Sequence, residues 1–255
     1  MKKFGKILIL LILSINISYA KTIRVAVIDT GFDFKSNWGK FSNKTIDTQT
    51  GLMLRRPKLC KSGHKDFTYT SIQDIHGHGT HVSGIIAKHA ENVDYCLVII
   101  KFFTDDANDE MNSLRLVSSI KHAVDLGVDI INISGGGPNP TENEYKVIKK
   151  ALDKNITIIA AAGNEALYID KNSNVKFYPA CYDKKIISVQ ATDTSGILIQ
   201  SSNHGPIFNG IEIGRNVLSL WPNNSVNRMT GTSQATAVRT GKEIKNMVYS
   251  HKESK

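Results

Sequence analysis

Short apolar runs alternate with amphipathic stretches along most of this chain. Residues 23–28 form a β-branched, largely apolar run ending at Asp29-Thr30-Gly31. Such a run predicts a central strand buried on both faces, with the aspartate at its carboxyl end. Residues 95–103, 128–133, 156–162 and 185–190 read as further strands. Residues 78–90 place Val82, Ile85 and Ile86 at helical spacing. Residues 114–126 do the same with Leu114, Val117, Ile120 and Val124, and Gly127 stops the pattern. Helices are also predicted over 142–152 and 233–249. Residues 37–62 are polar and irregular and read as a long surface insertion, whereas 211–220 are mixed and fit neither period.

Strands alternating with helices between about residues 70 and 160 imply parallel strands joined by helical crossovers. The expected fold class is therefore α/β, a three-layer sandwich around a mostly parallel central sheet. Ligands of such sheets bind beyond the carboxyl ends of the strands. Asp29, Ser134 and Asn164 all fall just past predicted strand ends. No repeat, low-complexity tract or second domain is visible.

Charge and the chain ends refine this picture. Lys2, Lys3 and Lys6 precede an apolar run over 7–17, and Ser18-Tyr19-Ala20 puts small residues where a signal peptidase reads. Residues 1–20 are expected to be a cleaved signal peptide and 21–255 one domain, exported to the periplasm or medium. The apolar run is short for a bilayer span of about 20 residues, so no membrane attachment is expected after cleavage. Losing three lysines takes the formal net charge from +9 to +6. That modest excess implies no nucleic-acid site, and the lysine-rich 242–255 read as a solvated helix face. A monomer is expected. Three cysteines in an exported chain suggest one bridge and one free thiol, with Cys60–Cys96 the first pairing to consider and a plain core role for Cys96 the alternative.

Three separated segments carry the candidate chemistry: Val27-Ile28-Asp29-Thr30-Gly31, His78-Gly79-Thr80-His81 and Gly231-Thr232-Ser233-Gln234. A serine at a helix start can be a nucleophile, because free N–H groups and the helix dipole favour negative charge there. It can equally be an ordinary N-cap. A histidine can take the serine's proton and return it to a leaving group, and an aspartate can fix that histidine's tautomer. Asp29 could instead be a turn residue, with Asp33 as a competitor. His76, His78 and His81 with Asp74 nearby raise a metal site, but the His-Glu-x-x-His spacing of zinc peptidases is absent.

Asp, His and Ser in this chain order resemble the subtilases, a family of subtilisin-like serine peptidases, and the likeness runs from about residue 23 to 248. The resemblance implies a catalytic triad of Asp29, His78 and Ser233, with His81 structural. Ala160-Ala161-Ala162-Gly163-Asn164-Glu165 matches a family segment and implies Asn164 as the oxyanion donor beside the Ser233 backbone N–H. Ser134, Gly135, Gly136, Ala162 and Gly163 are then expected to bind substrate, an extended polypeptide. Many members have a bulky residue where Gly135 stands, so a wide and unselective subsite is expected there. Tyr178-Pro179-Ala180 matches a segment near the same pocket.

The departures are specific. Gln234 and Ala237 replace the Met and Pro usual after the serine, which predicts peroxide tolerance. Glu212-Ile213-Gly214 replaces Ala-Pro-Gly. Asp29 lies nine residues after Ala20, which leaves no room for the family's folding propeptide, and only 22 residues follow Ser233. No cofactor is expected. Structural calcium is common in the family, but no Asp/Asn-dense loop matches such a site. Asp105-Asp106-Ala107-Asn108-Asp109-Glu110 raises the question and reads better as a solvated loop. The expected function is that of an exported serine endopeptidase working through an acyl-enzyme. The alternative is a protease-like peptide-binding protein with little or no turnover, and a weaker one is an esterase.

Overall fold

The computed structural model describes residues 21–41 and 43–253. The expected signal peptide, residues 1–20, lies outside the described residues. In chain order the elements are β1 (Ile23–Asp29), β2 (Lys65–Asp66), α1 (His78–His89), β3 (Tyr95–Lys101), α2 (Asp109–Asp125), β4 (Ile130–Ile133), α3 (Glu142–Asp153), β5 (Thr157–Ala161), β6 (Ile187–Thr192), β7 (Gly210–Ile213), β8 (Val217–Trp221), β9 (Ser225–Met229) and α4 (Thr232–Glu253). Seven strands form one sheet in the order β2-β3-β1-β4-β5-β6-β7. Every neighbouring pair in it is parallel, with Val25 opposite Leu97 on one side and Ile130 on the other.

The sheet is buried on both faces because β1 and its neighbours carry apolar residues at consecutive positions. Val25 and Val27 face one core with Val82, Ile85 and Ile86 of α1 and Ala235 and Val238 of α4. Ala26 and Ile28 face the other, with Leu116 and Ile120 of α2 and Ile148 and Leu152 of α3. The result is the expected three-layer sandwich. The chain leaves β1 through α1 to β3 on one side, then returns through α2 to β4 on the other. The winding reverses at β1, and the crevice this opens at the carboxyl ends of β1 and β4 is where the site lies.

The 37–62 segment is not the surface insertion its composition suggests. Trp38, Leu54 and Asp47 are fully buried. Leu59 bridges to Leu97, and Cys60 forms a disulfide with Cys96 with Cα atoms 4.9 Å apart, leaving Cys181 as the free thiol. A few inward anchors separated by polar residues make no period, so patterning missed them. β2 is too short to show a period at all. α2 starts at Asp109, five residues before its apolar stripe. Asn108 caps it by accepting the Met111 N–H at 2.8 Å, and Asp109 and Glu110 form its first turn. Part of the acidic stretch read as a loop is therefore a helix start. Residues 211–220 resolve into the end of β7 and nearly all of β8, and β8 pairs with an unforeseen β9 as an antiparallel hairpin. Asn223 and Asn224 make its turn at φ 61° and 55°, the left-handed pair that asparagine tolerates. No helix among the described residues is long and apolar enough to cross a membrane.

Asp47 is held by a lysine from α1. Lys88 and Asp47 are both fully buried, with Nζ 2.8 Å from Oδ2 and donating also to the Leu218 carbonyl at 3.1 Å. Burial pushes the ammonium's pKa down and the carboxylate opposes that shift. Removing one member leaves a buried charge without its partner, which costs about 3–5 kcal/mol, whereas replacing both by apolar residues is close to neutral. Urea unfolding of Asp47→Ala is expected to show a loss of that size. The pair Asp47→Leu with Lys88→Met is expected to recover most of it.

Candidate active site

Asp29 ends β1 with its carboxylate turned into the crevice and 4% of its surface exposed. His78 is the first residue of α1, and its Nδ1 lies 2.8 Å from Asp29 Oδ1, which also accepts the Thr30 N–H. The approach is close because Gly79 has no side chain: a Cβ there would run into the Gly31 carbonyl and touch Asp29 Cβ at 3.2 Å. Asp74, 1% exposed, fixes the turn before α1. It accepts from the Gly77 N–H at 2.8 Å, from the Thr80 N–H and hydroxyl at 2.8 and 2.7 Å, and from the Thr30 hydroxyl at 3.0 Å. Sequence reasoning met Asp74 only as a metal-ligand candidate. An acidic residue ahead of a helix start was the available signal for a capping role.

Burial pushes His78 down in pKa, but the charge of Asp29, their hydrogen bond and the charge of Asp74 push it up, and it ends above the ordinary 6.5. The other two histidines do not join it around a common point. His81 is fully buried with Nε2 3.1 Å from the Asn227 carbonyl, and burial lowers its pKa to about 4. His76 stands at the cleft edge, its ring 6.2 Å from that of His78. Asp33 is occupied elsewhere. It accepts from Ser36, Gln73 and the Asn223 N–H, tying its loop to the β8–β9 hairpin.

Ser233 is the second residue of α4. Its hydroxyl donates to the Ser134 carbonyl at 2.7 Å, and the Ser134 hydroxyl donates to the Ser233 carbonyl at 3.2 Å. Among the described residues no hydrogen bond joins Ser233 to His78. Ser134 is itself held from below. The Asn132 amide donates to its Oγ at 3.0 Å, and Thr240 of α4 donates to Asn132 Oδ1 at 2.8 Å. Asn132 and Thr240 are fully buried, and neither was legible as part of the site, since a lone asparagine in an apolar strand carries no spacing signal.

Asn164 lies past β5 and is exposed. Its Oδ1 accepts the Thr232 N–H at 2.9 Å and the Thr232 hydroxyl at 3.2 Å. Gly163 donates its N–H to Thr232 Oγ1, and its carbonyl accepts the Asn203 N–H. Ala162 is fully buried, donates to the Val189 carbonyl and accepts from the Asn203 amide. Both backbone groups of Ala162 and Gly163 are thus engaged inside the protein.

Ser134, Gly135 and Gly136 line one wall of a cavity of about 850 Å³ that opens beside Asp29 and His78. A Cβ on Gly136 would run into the Tyr178 carbonyl, and Gly137 and Tyr178 exchange backbone hydrogen bonds at 2.9 and 2.8 Å. A Cβ on Gly135 would meet nothing within 4 Å. Gly136 is therefore fixed by packing, whereas Gly135 leaves space. Gln234 sits against a thioether after all, with its amide 3.9 Å from Met229 Sδ.

The family model of the subtilases matches residues 20–242. The chain is 30% identical over 228 residues to the major intracellular serine protease of Bacillus subtilis (strain 168), covering 84% of this chain and 65% of that protein. It is 29% identical over 222 residues to the minor extracellular protease Epr of the same organism, covering 85% of this chain and 30% of that protein. The chain thus spans about two thirds or less of these relatives' lengths. Among solved structures it resembles the protease domain of PatA, with a TM-score of 0.68 at 24% identity over 91% of this chain and 82% of that one. It also resembles the prenylagaramide maturation protease PagA, with a TM-score of 0.67 at 25% identity over 91% and 78%.

The His78 ring is the test of this geometry. Because its pKa is raised in the folded chain, the stability it contributes is complete below about pH 6.5, its unfolded value, and is lost as pH rises through the folded value. Asp29→Asn removes the larger raising charge and leaves burial and the charge of Asp74, so the ring's pKa is expected to drop below that of the wild type. Titration of the His78 ring by NMR in the two chains checks the sign.

Proposed function

The chain belongs to the subtilase family, and on that footing we propose that it is a serine endopeptidase that hydrolyses polypeptides through an acyl-enzyme. Asp29, His78 and Ser233 form the triad in this reading. The observation that carries it is the 2.8 Å bond between His78 Nδ1 and Asp29 Oδ1 at the mouth of the crevice, with Ser233 at the start of α4. A histidine bonded through Nδ1 to a carboxylate keeps Nε2 free to take a proton and is stabilised once it has done so. Ser233 turns from the Ser134 carbonyl to His78, gives up its proton and attacks the scissile carbonyl. The oxygen that becomes negative is met by the Nδ2 hydrogens of Asn164 and the Ser233 N–H. His78 then returns the proton to the leaving amine, and water repeats the sequence to release the acid. The extended segment Ser134 to Gly136 offers an edge for the substrate backbone, as in strand addition. Residues 1–20 support export to the periplasm or medium, and the relatives include both intracellular and extracellular proteases.

A second reading has one observation in its favour. The Ser233 hydroxyl is bonded to Ser134 and not to His78, as would suit a chain that binds peptides without cleaving them.

Covalent labelling with a fluorophosphonate probe separates the two. Labelling is expected in the wild type and absent in Ser233→Ala and His78→Ala. Asn164→Ala is expected to lower kcat about 10²–10³-fold, the scale seen on removing one oxyanion donor from a subtilase, with little change in KM. A folded chain that takes no label supports the binding reading instead.

A further inference from the structure

The cavity beside the triad ends on a buried acid. Glu144 lies in the first turn of α3, is 4% exposed and lines the cavity, and its Oε1 has no hydrogen-bond partner. Its position explains why it is free. Thr141 caps α3 by accepting the Glu144 N–H at 3.2 Å, and Glu144 stands three residues later, where a capping-box glutamate would reach back to the N–H of the cap residue. Here that N–H donates to the Tyr182 hydroxyl at 2.8 Å. The phenol has taken that bond and hydrogen-bonds the Glu144 carboxyl as well, which leaves Oε1 as the unpartnered oxygen of a residue in the cavity lining. Burial pushes its pKa up to about 7, with Tyr182 as the neighbour that opposes the shift.

The rest of the cavity complements one kind of side chain. Its walls are apolar where Phe103, Leu116 and Val117 stand, and Asp109 and Glu110 of α2 add negative charge at its exposed edge. Gly135 leaves the passage from the cleft open. A long apolar stem with a cation at its tip satisfies both the walls and the acid. A buried carboxyl oxygen without a partner is costly, and a charged partner brought by a ligand relieves that cost.

We propose that this cavity is a subsite for a lysine or arginine side chain of the polypeptide substrate, upstream of the scissile bond, with Glu144 as the carboxylate that recognises it. The inference rests on the peptidase reading and narrows it, since the family resemblance at Gly135 pointed to a wide and unselective subsite. A peptide lying along Ser134 to Gly136 sends alternate side chains to opposite sides, so selection for a cation falls on one upstream position and spares its neighbours.

The test is a set of quenched fluorescent peptides carrying lysine, arginine, norleucine or glutamate at each upstream position in turn. It is run on the wild-type chain, Glu144→Gln and Glu144→Leu. One position is expected to favour lysine or arginine over norleucine by about tenfold in kcat/KM, a free-energy difference of about 1.4 kcal/mol. That ratio is expected to fall to near one in Glu144→Gln and to reverse toward norleucine in Glu144→Leu. Equilibrium binding of the same peptides to Ser233→Ala reads the cavity without turnover, and the lysine preference is expected there too. Cleavage with no basic preference at any upstream position overturns this inference and leaves the peptidase reading intact. A preference that survives in both Glu144 variants also overturns it. Absent turnover with preserved lysine-selective binding overturns the peptidase reading and leaves the cation site standing.

Discussion

A carboxylate buried at the end of a strand must have its charge met, and the site is built around that requirement. Asp29 and Asp74 are both almost fully buried and meet at Thr30, whose N–H donates to Asp29 and whose hydroxyl donates to Asp74. Neither is faced by a lysine or arginine at ion-pair distance among the described residues. Their partners are backbone N–H groups, hydroxyls and one imidazole. Most come from the start of α1, where free N–H groups and the positive dipole end collect. The N-terminus of α1 is thereby drawn onto the end of β1. His78 is its first residue, so the helix start that meets these charges also carries the histidine to Asp29. Gly79 permits the approach, and the same contacts set the ring's ionisation.

The far side of the crevice is built from hydroxyls and small side chains. Thr232, Thr236 and Thr240 run along the buried face of α4, and the last two bond back to carbonyls four residues earlier at 2.7 and 2.9 Å. Ala235 and Ala237 lie beside them, and Gly241 packs against His89, where a Cβ would approach its Cβ at 2.5 Å. Small residues let α4 lie against α1 and against the sheet at once. Its start is then placed by Thr232, whose N–H and hydroxyl both meet Asn164 and whose oxygen accepts from Gly163. This accounts for the tolerance of Gln234 and Ala237 in a region where the family's pattern differs. Bonds from residue 232, and not a proline-set dihedral, fix where α4 begins.

The parts legible in the sequence were those a simple physical rule makes periodic or adjacent. β1, β3, β4 and β5 are buried on both faces and so appear as largely apolar runs. Asp29, Ser134 and Asn164 follow directly at strand ends. The three short segments carrying Asp29, His78 and Ser233 are recognisable because their glycines answer to close contacts. What stayed hidden depends on contacts distant in sequence. Asp47 looks like any loop aspartate until Lys88, 41 residues later, is seen beside it. Asn132 is one polar residue in an apolar strand until Thr240 meets it. Glu144 reads as an ordinary cap-forming glutamate until Tyr182 takes its place. β9 was missed because its alternation is weak, although the Asn223-Asn224 turn before it was a usable sign.

The bond between Ser233 and Ser134 bears on how the site works. A neutral hydroxyl-to-carbonyl bond contributes only about 0.5–1.5 kcal/mol net, and a hydroxyl-to-imidazole bond is of the same order. In the proposed triad the Ser233 hydroxyl thus chooses between two acceptors of similar strength, and a small bias decides which it keeps. The Ser134 carbonyl is also among the acceptors that an extended peptide meets when it lies along Ser134 to Gly136. A peptide N–H donating there competes with the Ser233 hydroxyl for the same lone pairs and favours its turn toward His78. In the proposed triad the observed rotamer is the resting form of Ser233, and substrate itself releases it. Asn132 and Thr240, by holding the Ser134 side chain from below, keep that carbonyl where both can reach it.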